Sequence, residues 1–217
     1  RTRSPVASFH SAAVKTPTTA DVTTGITRAL AALVERAPTA RDAHAVMIGT
    51  THFTNAVVQR RDLGRVAAVR IGLPSGASLP PFVDWPEDLA ALVRGEVVML
   101  EGGHEFDGRP LVPFDTKGMR AAARRIREAG IRSVAVSAVF SPLNASGEEE
   151  AASILLEECP DVTVTLSHRL GRIGLLEREN ATLLNACLIE LARTTTRAFS
   201  QALRASGIAA PLYLTQN

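Results

Sequence analysis

Aromatic residues are scarce in this chain, at 4% of 217 positions. A core of stacked rings is therefore excluded, and the interior must be built from Ala, Val, Leu and Ile. Cysteine is nearly absent too. Cys159 and Cys187 are the two present, and neither sits in a CxxC pair, which argues against a disulfide scaffold and a cysteine zinc site. Reduced, buried thiols of a cytosolic protein are the expectation. No apolar run approaches the roughly 20 residues that cross a bilayer. Arg1-Thr2-Arg3-Ser4-Pro5 has no apolar signal core behind it, so no membrane partner is expected. An excess of one charge is also missing, with 24 basic against 22 acidic residues. That balance gives no electrostatic reason to expect nucleic acid. The cluster Arg124-Arg125-Ile126-Arg127 lies beside Glu128 in a helical pattern and reads as a solvated helix face.

What is present is a chain with 46% hydrophobic residues, long enough to bury a core. Val22, Ile26, Leu30, Leu33 and Val34 recur at helical spacing, with Asp21 ahead of them as a start residue, so a helix is predicted over about 20–36. Val6 to Lys15 is a weak strand candidate. Ala45-Val46-Met47-Ile48, closed by Gly49, suits a buried strand of a parallel sheet. A helix follows over 54–61, with Ala56, Val57 and Val58 inward. Strands are predicted over 66–71, 97–100, 134–140 and 162–166. Asp115 should cap a helix that Gly130 ends, and Asn144 or Ser146 should open another, stopped by Pro160. Residues 73–88 form a long Pro/Gly/Ser-rich loop of the kind that often carries function. A long helical region over 176–206, in one or two pieces, is closed by Gly207, and Leu212-Tyr213-Leu214 opens a last strand. Alternation of strand and helix signals predicts an α/β fold with a mostly parallel sheet.

Three stretches could carry chemistry. In Gly49-Thr50-Thr51-His52-Phe53-Thr54-Asn55, a strand feeds a glycine, hydroxyls, an imidazole and an amide at a helix start. Such a turn can hold a phosphate or carboxylate on free N–H groups, at the strand end where open sheets place ligands. The same residues also fit plain helix capping by Thr51 or Thr54. In the second stretch, Ser167 to Ala186, a polar knot from Glu177 to Asn180 opens a helix, and Arg172 and Arg178 could hold an anion. Helix-start chemistry with i,i+4 pairing is the alternative, and Asn180 and Asn185 do not share a helix face. Third, His104 beside Glu105 and Asp107 is a metal candidate, though one His in a turn is weak grounds for one. Ser137 and Ser167 lack the GxSxG elbow.

Gly49-Thr50-Thr51-His52-Phe53-Thr54-Asn55-Ala56 resembles the G-T-T-x-x-T-N-A stretch of the hydantoinase/5-oxoprolinase family, whose relatives include acetone carboxylase. Lys15-Thr16-Pro17-Thr18-Thr19 is similar to the family's K-x-P-T-T. Glu177-Arg178, Thr182 and Asn185-Ala186 match E-R-x-x-x-T-x-x-N-A. Pro211-Leu212 and Gln216-Asn217 resemble a strand that runs on toward Gly-Gly in the family. The order and separations agree along nearly the whole chain.

The resemblance implies an actin/hexokinase-like, ribonuclease H-like ATPase fold. It implies an N-terminal region over 1–166 and the start of a core region over 167–217. It implies hydrolysis of cyclic amides such as 5-oxoproline or hydantoins, with ATP and a divalent metal such as Mg as cofactors. Thr50, Thr51, His52, Asn55 and Glu179 are then the catalytic candidates. Gly49, Arg178, Asn180, Asn185 and Asn217 are the candidates for substrate or phosphate contact. The family's Asp-x-Gly-Gly-Thr-x-x-Asp loop is not found, so the chain reads as a fragment, inactive alone. Glu179-Asn180-Ala181 departs from the common E-R-T-S-T-T, which leaves the substrate open. A second enzyme subunit or a homo-oligomer is a further expectation. The rival readings are a non-catalytic assembly module and a small-molecule kinase on the same fold.

Overall fold

The computed structural model describes residues 12–17 and 22–216. The expectations for Val6 onward up to residue 11, for Thr18, Thr19 and Asp21, and for Asn217 lie outside these residues. In chain order the elements are α1 (Val22–Arg36), β1 (Val46–Thr50), α2 (His52–Gln59), β2 (Val66–Leu73), α3 (Glu87–Val93), β3 (Arg94–Glu101), α4 (Thr116–Glu128), β4 (Ser133–Ala138), α5 (Ser146–Glu158), β5 (Thr163–Leu166), α6 (Leu175–Cys187), α7 (Ile189–Ala205) and β6 (Leu212–Gln216). The chain divides into two compact units, one holding the residues up to His52 together with Ala192 onward, the other Phe53–Leu191.

In the first unit β1 pairs parallel with β6, from Val46 opposite Leu212 to Thr50 opposite Gln216. Val34, Leu203 and Ile208 are buried together, with Leu30, Val46 and Leu212 packed on them. The buried character predicted for β1 is only half met, because Met47 is 74% exposed. Among the described residues this ladder has two strands, and the helices cover one of its faces.

The second unit holds a parallel sheet in the order β3-β2-β4-β5. Period-two alternation divides its side chains between two cores. Ala67, Val69 and Ile71 of β2 join Val134, Val136 and Ala138 of β4, under Met119, Ala122 and Ile126 of α4 and Ala151 and Leu155 of α5. Val66, Ala68 and Ala135 point the other way, against Leu89 and Val93 of α3 and Leu183, Ala186 and Cys187 of α6. Helices thus cover both faces, as an apolar parallel sheet requires. Asp115 accepts the Gly118 N–H at 2.8 Å and caps α4 as expected, and Gly130 takes φ +67° just past its end.

Two local readings differ from the expectation. The tail of the long loop is a helix, α3, whose start is marked by Pro86 and by Glu87 and Asp88 in its first turn. Its seven residues are too few for periodicity to declare itself. Val58 points outward at 69% exposure, because α2 begins at His52 and turns Phe53 and Ala56 inward.

Both thiols are buried. Burial pushes the Cys187 thiol up to about 11 and raises that of Cys159 as well. At pH 8 each is therefore a protonated thiol rather than the reactive thiolate. Neither should react with a disulfide reagent in the folded chain at that pH, and both should react in urea. Fast labelling of the native protein would contradict this packing.

Candidate functional site

Of the first candidate stretch, Gly49 to His52 belong to the first unit and Asn55 to the second. Thr50 Oγ1 accepts the His52 N–H at 3.0 Å at the start of α2. Gly49, Thr51 and Asn55 are exposed.

The second stretch lies at the heart of the second unit. There the face of the sheet toward α6 turns polar at its carboxyl end, where Arg70 of β2 stands in register with Ser137 of β4. Both are buried. Glu179 of α6 lies over them. Arg70 Nε donates to Glu179 Oε2 at 2.7 Å, Arg70 Nη2 donates to Oε1, and the Ser137 hydroxyl donates to Oε2 at 2.6 Å. The remaining terminal nitrogen of Arg70 donates to the Leu79 carbonyl in the long loop. A buried charge pair of this kind persists only if every lone pair and proton finds a partner, and here two-pronged geometry meets that need.

Beside it is a second buried carboxylate. Glu148, in the first turn of α5, has no exposed surface. It accepts the Ala138 N–H at 2.9 Å, the Ser167 hydroxyl, the His168 N–H at 3.1 Å, and lies 2.8 Å from His168 Nδ1. Arg178 completes the arrangement. Its Nε donates to Ser167 Oγ at 2.8 Å, Nη2 to the Ala138 carbonyl at 2.6 Å, and Nη1 to the carbonyls of Arg172 and Ile173 at 2.7 and 2.9 Å. Burial lowers the Arg178 pKa, and the charges of Glu148 and Glu179 oppose that shift. All three guanidinium nitrogens are thus engaged within the protein.

Asn180 accepts the Trp85 indole N–H at 2.8 Å, and Asn185 is exposed on α6. His104 is 8% exposed, and its Nδ1 is buried with no hydrogen-bond partner among the described residues. No group of three or more His, Cys, Asp or Glu that could hold a metal ion occurs among the described residues.

Above the Arg70 guanidinium is a cleft of about 330 Å³. Leu79, Val139, Leu175 and Leu176 make it largely apolar, while Ser75, Ser78 and Glu177 supply polar atoms. It lies beyond the carboxyl ends of β2 and β4, where open α/β sheets place ligands, and its volume is at the small end of ligand sites. Arg70, Glu148 and His168 were not among the sequence candidates. A charged residue inside the apolar run Val66–Ile71 is the signal that could have found Arg70, because such a charge needs a buried partner. Nothing comparable marks Glu148, which looks like an ordinary first-turn acid.

The family model for the hydantoinase/oxoprolinase N-terminal region matches residues 6–159. The chain belongs to this family. Its fold is shared with the ATP-dependent caprolactamase of Pseudomonas jessenii, at TM-score 0.72 and 22% identity, over 89% of this chain and 30% of that one. An acetone carboxylase in its nucleotide-free form, from work on ATP-dependent acetone carboxylation, aligns at TM-score 0.63 and 18% identity, over 86% of this chain and 30% of that one. No curated protein matches the sequence. The fold is α/β with parallel sheets and flanking helices, of the actin/hexokinase-like kind expected. The chain spans less than a third of either solved relative's length.

Proposed function

We propose that this region forms one wall of the active site of an ATP-dependent hydrolase of cyclic amides, and that the cleft over Arg70 receives the ring. The observation that carries this reading is the cleft itself: about 330 Å³, mostly apolar, and floored by a guanidinium already neutralised by Glu179. A free Arg would attract an anion, whereas a neutralised one leaves a polar but uncharged floor. That suits a small neutral ring. Leu79, Val139, Leu175 and Leu176 would cover its methylenes, the Ser78 hydroxyl would donate to its carbonyl oxygen, and Glu177 would accept its N–H. In this reading Arg178, Glu179 and Asn180 shape the floor and its surroundings rather than touch substrate.

ATP, when bound, would activate the amide oxygen by phosphoryl transfer, after which water can attack. Gly49, Thr50, Thr51 and His52 are the residues we assign to phosphate contact, since a strand-to-helix turn offers backbone N–H groups. The metal expected with ATP finds no cluster of three or more His, Cys, Asp or Glu among the described residues, and no step is assigned to it.

Titration calorimetry of the 217-residue chain with caprolactam, hydantoin and 5-oxoproline tests the reading. Heat of binding from at least one ring is expected, and Leu79→Trp, which fills the cleft from its exposed rim, should abolish it. No heat from any of the three, or heat unaffected by Leu79→Trp, would remove the cleft as the ring site. Ring-opened product released by this chain alone with ATP would overturn the one-wall reading.

A further inference from the structure

β3 forms one edge of the four-stranded sheet, and among the described residues it pairs only with β2. Natural edge strands are usually kept very short or blunted by charged side chains, Pro or a bulge. This one runs eight residues, Arg94-Gly95-Glu96-Val97-Val98-Met99-Leu100-Glu101, has no Lys or Pro, and carries its charges and its bulge toward the ends, leaving Val97-Val98-Met99-Leu100 uninterrupted. Val98 and Leu100 point into the core under α4 and α5. Arg94 is in register with Val66 and Val97 with Ala68, so both lie on the opposite face, with Val66 and Ala68. Met99 is in register with Arg70 on that same face, and alternation within β3 carries Glu101 there too, the irregularity at Leu100–Glu101 lying in β2 at Gly72. Arg94 and Glu101 share it only because Gly95 and Glu96 bulge together opposite Ala67. Glu96 accordingly turns to the other side, with its carboxylate 3.8 Å from Arg125 of α4.

This pattern is self-complementary. In an antiparallel pair centred on Val98, each Val98 faces its own copy. Val97 then faces Met99 of the second chain, and Arg94 faces Glu101. Opposed residues share a face in such a pair, and all three matches meet that condition once the bulge counts as one position. Both charged residues are exposed, and Val97 is 37% exposed. The Arg94 guanidinium is held at the strand's start, 5.3 Å from the Phe82 ring centre. The Glu101 carbonyl accepts the Asp115 N–H at 3.2 Å, which bounds the pairing at that end and leaves its carboxylate outward. We infer that β3 is a homodimer edge: a second copy of this chain pairs antiparallel with it, making one eight-stranded sheet across a two-fold axis at Val98.

Light scattering over a roughly hundredfold dilution series would show the mass falling from two chains toward one, as mass action requires. Arg94→Glu and Glu101→Arg should each weaken the dimer at least about tenfold, because like charges then face each other twice per interface. Combining them restores opposite charges and should return the dimer to within about threefold of the parent, an additivity failure of the kind contacting pairs give. Val97→Lys, at an exposed position, gives a second disruption should Arg94→Glu disturb Phe82, with circular dichroism reporting the fold of each variant. A chain monomeric at every concentration, or a dimer that Val97→Lys leaves intact, overturns the inference. So does a double charge swap that fails to rescue two folded single variants.

Discussion

Glu179→Ala is expected to cost the second unit about 3–5 kcal/mol, the range for stranding one partner of a buried ion pair. Arg70 would be left with its charge buried in the sheet, 1% exposed, holding one contact to the Leu79 carbonyl and none to a carboxylate. Ser137 would lose its acceptor as well. With typical domain stabilities of about 5–15 kcal/mol, that loss takes the chain close to unfolding, and the urea midpoint reports it directly. The informative comparison is Arg70→Met with Glu179→Leu. Removing both charges and keeping the volume should recover most of the loss, because desolvating the pair costs nearly what its attraction returns. If the double variant is as unstable as Glu179→Ala, the pair contributes net stability of its own. If Glu179→Ala is nearly neutral, the buried pair is not formed in solution.

The same pair shows what the sequence could and could not disclose. Helix and strand periods located β2, β4, α4, α5 and α6 because each has a long apolar face, and the Asp115 cap and Gly130 stop were legible from turn chemistry alone. The fold class followed from their alternation. Arg70 was invisible as a site residue for a physical reason: its partner Glu179 is 109 positions away, and no local period links a strand end to a distant helix. Glu148 and Ser167 are hidden in the same way, since their shared hydrogen bond depends on α5 starting beside the point where β5 ends. The polar knot from Glu177 to Asn180 was visible, but its direction was not. A helix start with i,i+4 pairs would leave these residues in solvent. The structure instead buries Arg178 and Glu179, and α6 turns them toward the sheet. The short α3 escaped because a single buried face of three residues does not establish a period.

That burial gives Arg178 a different task from the anion contact first suggested by its position, and the difference can be measured. Its fork reaches five acceptors: Ser167 Oγ and the carbonyls of Ala138, Arg172, Ile173 and Gly174. It thereby fixes the connection from β5 into α6, whose Leu175, Leu176 and Glu177 line the cleft. Arg178→Met keeps much of the length and apolar packing but removes all the donors. Each buried carbonyl left unpaired costs about 1–3 kcal/mol, so the total, softened by water entering around residues 172–174, should be about 3–5 kcal/mol. Arg178→Lys should recover less than half of this, because one ammonium cannot serve a planar fork's separate directions. A residue whose task was to hold phosphate would give another result. Its loss would leave the urea midpoint nearly unchanged while weakening binding of an anion, and Lys would substitute well as a point charge. Denaturation of Arg178→Met and Arg178→Lys, beside calorimetry with inorganic phosphate, separates the two: a large stability loss with no change in phosphate heat marks a brace, and the reverse marks an anion ligand.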